Sequence, residues 1–220
     1  MKRRHLIVGA GRIGAGWEWD DLPYTHAGAS VALKERIELV GFVEPNPERA
    51  DAAEKKWGVT AYESLQEGLT STRADIVSVC TQPEDQLRVL PVIDAFAFTR
   101  AIWCEKPYMG YPCKKPVQVN YMRRGDDHHR YLATVKHLLT RLVVYGKDDI
   151  TTRCHFTDLA KWWGVPLDYR PYNGPCAYII EGSGTRFFDM GGVNGGDCFR
   201  NMLWNLLDHV DNGSPLWSKP

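Results

Sequence analysis

The chain reads as an α/β protein, with a doubly wound parallel sheet in its first part and a reduced α+β domain after it. Three observations predict this. Short apolar strands alternate with helical segments up to about residue 105, a glycine cluster follows the first strand, and beyond about residue 115 turn-separated strands and long helices take over. The length of 220 residues holds one large domain or two small ones. The boundary is placed so that residues 1–115 form the sheet domain and 116–220 the smaller one.

The elements follow in order. His5 to Gly9 is a short apolar strand running into glycines, and Ile37 to Val43, Asp75 to Cys80 and Ala101 to Cys104 are three more. Asn46-Pro47 is an N-cap and first-turn pair opening a helix with Ala50, Ala53 and Trp57 on one face. A second helix covers about Glu84 to Phe96, with a kink expected at Pro91. Ala15 to Gly28, carrying Trp17, Trp19, Tyr24 and His26, reads as an insertion, either a lid or a surface loop packed by its own aromatics. Past residue 115, Pro116 to Tyr121 and Leu142 to Tyr145 are strand-like, and Asp126 to Leu139 and Phe156 to Trp163 are helical. Leu167 to Asp189 holds two or three strands. The last helix repeats Phe199, Met202, Leu203, Leu206, Leu207 and Val210 at helical spacing, with Asp197 as its N-cap and Gly213 as its terminator.

Gly9-Ala10-Gly11-Arg12-Ile13-Gly14 is a G-x-G-x-x-G directly after the first strand, the context in which such glycines bring a pyrophosphate against backbone N–H groups. This is the fingerprint of a dinucleotide-binding Rossmann domain. Glu44 ends the second strand, where a carboxylate accepts hydrogen bonds from an adenine ribose. Pro45, Asn46 and Pro47 follow it rather than a cation, which favours NAD over NADP. NADP use stays open through Arg12, which lies near enough to meet a 2′-phosphate.

Lys plus Arg and Asp plus Glu each number 27, so the formal charge is zero and neither a nucleic-acid nor an anionic-membrane partner is expected. The glycines after Val8 interrupt the apolar start too early for a signal peptide. The six cysteines are scattered without a C-x-x-C pair, which argues for reduced cytoplasmic thiols and against a zinc site or disulfide scaffold. His128 and His129 beside Asp126 and Asp127 read as a solvated face, and no metal site is expected.

Trp103-Cys104-Glu105-Lys106-Pro107, together with Val117 to Arg124 (VQVNYMRR), the glycine loop and Glu44, resembles the Gfo/Idh/MocA family of NAD(P)-dependent sugar and polyol oxidoreductases. The resemblance runs in order along nearly the whole chain. It implies hydride transfer between nicotinamide and a carbinol carbon of a sugar, polyol or nucleotide-linked sugar. It assigns the hydroxyl proton to Lys106 and His155, with a partly desolvated Lys106 suited to that role and Asp158 placed to orient the His155 ring. It puts Thr81, Pro83, Glu105 and Lys106 with the glycine loop at the cofactor, and Asn120, Tyr121 and Arg123 along the substrate pocket. It also implies a homo-oligomer assembled through the second domain.

The chain departs from that pattern at particular places. Thr151 stands where the family has an aspartate, and Gln86 and Leu87 occupy the stretch where it has a histidine. Only Tyr108 to Lys115 separate the two motifs, where a crossover helix is expected, and its loss would bare one face of the sheet unless something else covers it. The second domain is short for the family. These departures motivate a rival reading, a non-catalytic NAD-binding sensor or partner subunit, and a third in which no nucleotide binds.

Overall fold

The computed structural model describes residues 2–18, 25–121, 139–146, 166–171, 177–182, 186–189 and 195–217. The chain divides into two compact units, residues 1–125 with 195–220, and residues 126–194.

The first unit is built on β1 (Arg3–Val8), β2 (Ile37–Val43), β3 (Ala61–Tyr62), β4 (Ile76–Val79), β5 (Ala101–Cys104) and β6 (Val117–Val119). They form one sheet in the order β3-β2-β1-β4-β5-β6, with every pairing parallel. The order reverses between β1 and β4, which is the topological switch point of a doubly wound fold. The helices are α1 (Arg12–Ala15), α2 (His26–Ala32), α3 (Pro47–Trp57), α4 (Leu65–Thr72), α5 (Pro83–Ala95) and α6 (Gly195–Asn212).

Local chemistry sets these boundaries. Asn46 caps α3 by accepting from the Arg49 N–H at 3.1 Å, and Gly58 closes it at φ +68°. Thr25 caps α2 by accepting from the Gly28 N–H at 2.9 Å, so part of the expected 15–28 insertion is helix. β1 begins at Arg3, two residues before the expected start at His5. Asp75 meets both arginines: its Oδ2 accepts from the Arg4 N–H at 3.0 Å and its Oδ1 lies 3.3 Å from the Arg3 guanidinium. Pro91 sits inside α5 without ending it.

Strand alternation sends successive side chains to opposite faces. Leu6, Val8, Val77, Val79, Ile102, Cys104, Val117 and Val119 form one core with Leu69 of α4 and Leu90 and Ile93 of α5. Ile37, Ile76, Ala101 and Trp103 form another with Ala29 of α2 and Phe199, Met202, Leu203, Leu206 and Leu207 of α6.

Two expectations of domain structure need correction. β6 was assigned to the second domain, but Val117 to Val119 extends the parallel sheet beside β5. The last helix was assigned there too, but α6 packs on α2 and β5, because its apolar stripe fits the face that carries Trp103. α6 begins at Gly195 rather than after Asp197, and it ends as expected at Gly213, φ +72°, whose N–H donates to the His209 carbonyl at 2.9 Å. Its polar side is pinned by Arg36 to Asp208 at 2.8 Å and Arg3 to Asp211 at 2.7 Å.

No helix joins β5 to β6, and the chain covers the sheet without one. Tyr108, Tyr111 and Cys113 of the linking segment pack on the apolar core. The carboxylate of Asp94 accepts from the Lys114 and Lys115 N–H groups at 3.0 and 2.9 Å.

The second unit contains β7 (Leu139–Gly146), β8 (Leu167–Pro171), β9 (Ala177–Gly182) and β10 (Arg186–Asp189), in the order β10-β9-β7-β8. β7 and β8 run parallel, and the other pairs are antiparallel. Among the described residues three strands occupy the 167–189 segment, where the sequence predicts two or three. Residues 126–138 and 156–163, where helices are expected, lie outside the described residues, and Leu139, expected to end the first of them, opens β7 instead.

Candidate active site

The glycine loop leaves β1 at its carboxyl end. Gly9 holds φ +98°, and a Cβ there would lie 2.8 Å from the Cys80 carbonyl oxygen, so β1 and β4 approach too closely for any side chain. A Cβ on Gly14 would lie 2.0 Å from the Gly9 carbonyl oxygen. Around Gly11 nothing lies within 4 Å of that position, which leaves open space beside the loop. One glycine makes the turn, one packs helix on strand, and one leaves room for a ligand, the division a pyrophosphate loop requires. Arg12 and Ile13 follow in α1, and the first-turn N–H groups have no partner within the helix. The Arg12 guanidinium pairs with Glu18 at 3.1 Å on the surface.

Glu44 is buried just beyond β2. Its Oε2 accepts from the Ala10 N–H at 2.8 Å and its Oε1 from the Asn46 N–H at 3.1 Å. Each oxygen keeps a further acceptor direction, so the carboxylate can brace the glycine loop and still receive a hydroxyl. Thr81 lies just past β4, and its buried Oγ1 has no hydrogen-bond partner among the described residues. Pro83 opens α5 next to it. The open space at Gly11 and the unpartnered hydroxyl of Thr81 fit a dinucleotide at the switch point.

Glu105 and Lys106 follow β5. Glu105 turns inward rather than into open space. Its Oε1 accepts from His26 Nε2 at 3.0 Å and from Asn120 Nδ2, and its Oε2 accepts from the Lys106 N–H at 3.2 Å. Burial works to raise the Glu105 carboxyl, but the bonds from His26, Asn120 and Lys106 outweigh it and hold the group below its usual range. The Lys106 side chain is exposed, not partly buried, and the Lys106–Pro107 bond is cis. Asn120, read as a substrate contact, is fully buried and committed to Glu105, and Tyr121 is half exposed. Arg123, Thr151, His155 and Asp158 lie outside the described residues.

Behind Glu105 runs a buried chain of groups that sequence reasoning missed. His26 Nδ1 lies 2.8 Å from Ser78 Oγ, Ser78 Oγ 2.7 Å from His5 Nε2, and His5 Nδ1 2.6 Å from Ser30 Oγ. A carboxylate only accepts, so His26 Nε2 carries a hydrogen, and at the far end of the chain the Ser30 hydroxyl donates to the His26 carbonyl at 3.1 Å. Burial, aided by His26, pushes the His5 imidazole down to about 3, which keeps it neutral. The Trp103 ring lies on His26 with 3.8 Å between centroids. In the sequence Gln86 reads only as a departure from the family pattern. It is fully buried, donates to the Glu105 and Pro107 carbonyls at 3.0 and 3.1 Å, and accepts from the Met109 N–H at 3.1 Å. Thr25 ahead of an Ala-rich run was the available signal for the helix that carries His26.

The remaining candidates are inert or peripheral. Burial, with the Glu105 charge adding to it, pushes the Cys104 thiol up to about 12, and burial raises Cys80 well above its usual value, so neither is a thiolate at neutral pH. Among the described residues no His, Cys, Asp and Glu side chains cluster as a metal site would require, and no helix is long and apolar enough to cross a membrane.

Comparison with known proteins adds the family. No curated protein sequence matches the chain. Solved structures match its fold. The WlbA dehydrogenase of Bordetella pertussis, in complex with NADH and UDP-GlcNAcA, is 16% identical, with a TM-score of 0.65 over 100% of this chain and 91% of that one. The UDP-N-acetylglucosamine 3-dehydrogenase GnnA of Acidithiobacillus ferrooxidans is 14% identical, with a TM-score of 0.67 over 100% and 92%. The myo-inositol 2-dehydrogenase of Lactobacillus plantarum is 16% identical, with a TM-score of 0.61 over 97% and 91%. Residues 3–112, half of the chain, match the model of the Gfo/Idh/MocA oxidoreductases, described by their NAD-binding Rossmann fold. With the glycine loop, Glu44 and the switch point in the places such a fold demands, the chain belongs to the Gfo/Idh/MocA oxidoreductase family.

Proposed function

We propose that the protein is an NAD-dependent oxidoreductase that interconverts a secondary alcohol and its ketone on a sugar, polyol or nucleotide-linked sugar. The observation that carries this reading is that Lys106 leaves the carboxyl end of β5 on the same sheet edge as the glycine loop and the unpartnered Thr81 hydroxyl. WlbA and GnnA, named for or solved with nucleotide sugars, and the inositol enzyme, named for a polyol, support this choice of substrate classes.

Bound NAD supplies the two-electron acceptor or donor. The chain supplies the rest. Gly9, Gly11, Arg12, Ile13 and Gly14 form the pyrophosphate loop, and Glu44 accepts from the ribose. Lys106 Nζ takes the substrate hydroxyl proton during oxidation and returns it during reduction, and His155 shares that proton as the family resemblance implies.

The test starts with tryptophan-to-NADH energy transfer on the purified protein, then NADH formation across sugars, inositols and UDP-sugars. Lys106→Ala is expected to lower turnover roughly 100- to 10,000-fold while the NADH dissociation constant stays within about twofold. Unchanged turnover overturns the role of Lys106. Tight NADH binding with no turnover on any substrate supports the sensor or partner-subunit reading, for which Thr151 in place of an aspartate is the motive.

A further inference from the structure

Lys106 reaches open space, yet the backbone on both sides of it is held. The Glu105 carbonyl ahead of it and the Pro107 carbonyl after it both accept from Gln86 Nε2, at 3.0 and 3.1 Å. The Met109 N–H donates to Gln86 Oε1 at 3.1 Å, and the Lys106 N–H donates to Glu105 Oε2 at 3.2 Å. A primary amide has two hydrogens and one oxygen, and Gln86 commits all of these to a single loop. Its side chain is wholly buried, so water does not compete for those bonds.

The Glu105 carboxylate is anchored from the opposite direction. His26 donates to its Oε1, and the ring is fixed by Ser78 on its other nitrogen and by Trp103 on its face. Ser78, His5 and Ser30 continue the chain behind the ring, and the Ser30 hydroxyl closes it by donating to the His26 carbonyl at 3.1 Å. A buried polar chain of this length is an expensive way to fill a core that apolar side chains would fill as well. Its return is geometric: it terminates on the residue that carries the Lys106 loop.

We propose that Gln86 and His26 are positioning residues that clamp the 105–109 loop and so present Lys106 to the bound substrate and cofactor. The clamp rests on the dehydrogenase reading for its purpose, but its existence can be tested without a substrate. Gln86→Met keeps length and removes all three bonds. His26→Phe keeps a ring and removes the donor to Glu105, whereas His26→Gln keeps a donor for Glu105 and an acceptor for Ser78.

Amide hydrogen exchange on the full chain is the first measurement. Gln86→Met and His26→Phe should speed exchange of the Lys106 and Met109 amides about tenfold or more, with the β1 and β4 amides unchanged. The second is steady-state kinetics on a substrate found in the panel. Both variants should lower kcat roughly 10- to 100-fold at unchanged NADH affinity, and His26→Gln should recover most of the loss. Exchange at 105–109 no faster than in the parent overturns the clamp, as does kcat within about twofold of the parent. Loss of protection across the whole sheet would overturn it too, because it would mark these side chains as general core supports. Should His26→Phe not fold, Gln86→Met carries the test alone. A parent protein that turns over nothing while its loop responds as expected refutes the dehydrogenase reading and leaves the clamp standing.

Discussion

On one face of the six-stranded sheet, Leu6, Val8, Val77, Val79, Ile102 and Val119 meet Leu69, Leu90 and Ile93 in an apolar core. On the other face the same strands present His5, Ser78, Trp103, Glu105, Gln118 and Asn120, all buried beneath α2 and α6. Apolar packing stabilises without specifying direction, so the first face supplies cohesion. Hydrogen bonds are directional and costly to leave unmade, so the second face supplies geometry. On that face Trp103 Nε1, Gln118 Oε1 and Asn120 Oδ1 are buried without partners among the described residues. The comparison teaches that both faces of the sheet share the work of folding, while the buried polar groups that aim its loops are gathered on one of them.

The separation can be broken experimentally. The largest effect is expected on the apolar face, where Ile102→Ala should cost about 2–5 kcal/mol of stability by urea unfolding. NADH affinity, measured on the fraction that stays folded, should not change. A large loss of affinity would show that the apolar face also shapes the site.

A pH-dependent effect, smaller within any one pH unit, is expected from the polar face. The folded His5 sits near 3, whereas an unfolded histidine titrates near 6.5. Between those values the unfolded chain binds a proton that the folded chain refuses, so stability falls as pH falls, by up to about 1.4 kcal/mol per pH unit. Glu105, held below its usual range, adds a loss in the same direction at lower pH, as the medium falls through its folded value. Urea unfolding across this window should show the slope in Ile102→Ala but a flatter profile in His5→Gln. Equal slopes in the two variants would break the comparison.

The smallest effect belongs to the surface. Asp211 joins Arg3 and Arg36 across the end of α6 while about a third exposed. Asp211→Asn should cost at most about 1 kcal/mol, and less at high salt. Thermal melting at two ionic strengths reads this out.

Much of the first unit was legible because its signals are local. Asn46-Pro47 announces α3, the glycines announce the turn after β1, and the spacing of Phe199 to Val210 announces α6. The partner of α6 was not legible. An apolar stripe says that a helix is buried, not which face buries it, and Trp103 lies 92 positions or more before the residues of α6. β6 was misassigned for the same reason, since three strand-like residues carry no mark of the sheet they join. The site was legible as types more than as directions. Glu105 stood out beside Lys106, but its inward turn depends on His26 and Asn120, which the fold brings from α2 and from beyond β6. Gln86 looked like a substitution in the pattern until the loop it holds was in view.

The seat of α6 has a consequence for how the molecule is made. Phe199, Met202 and Leu203 cover Trp103 and the strand beside it, yet they leave the ribosome about 100 residues after it. A nascent chain that has reached Asn194 has all six strands of the first sheet but not the helix that shields one side of it. That side then has only α2 upon it, and the part that Phe199, Met202 and Leu203 cover stays open to water or to a chaperone until the α6 segment emerges. Synthesis that halts before Gly195 therefore releases a sheet with one face finished and the other covered by α2 alone.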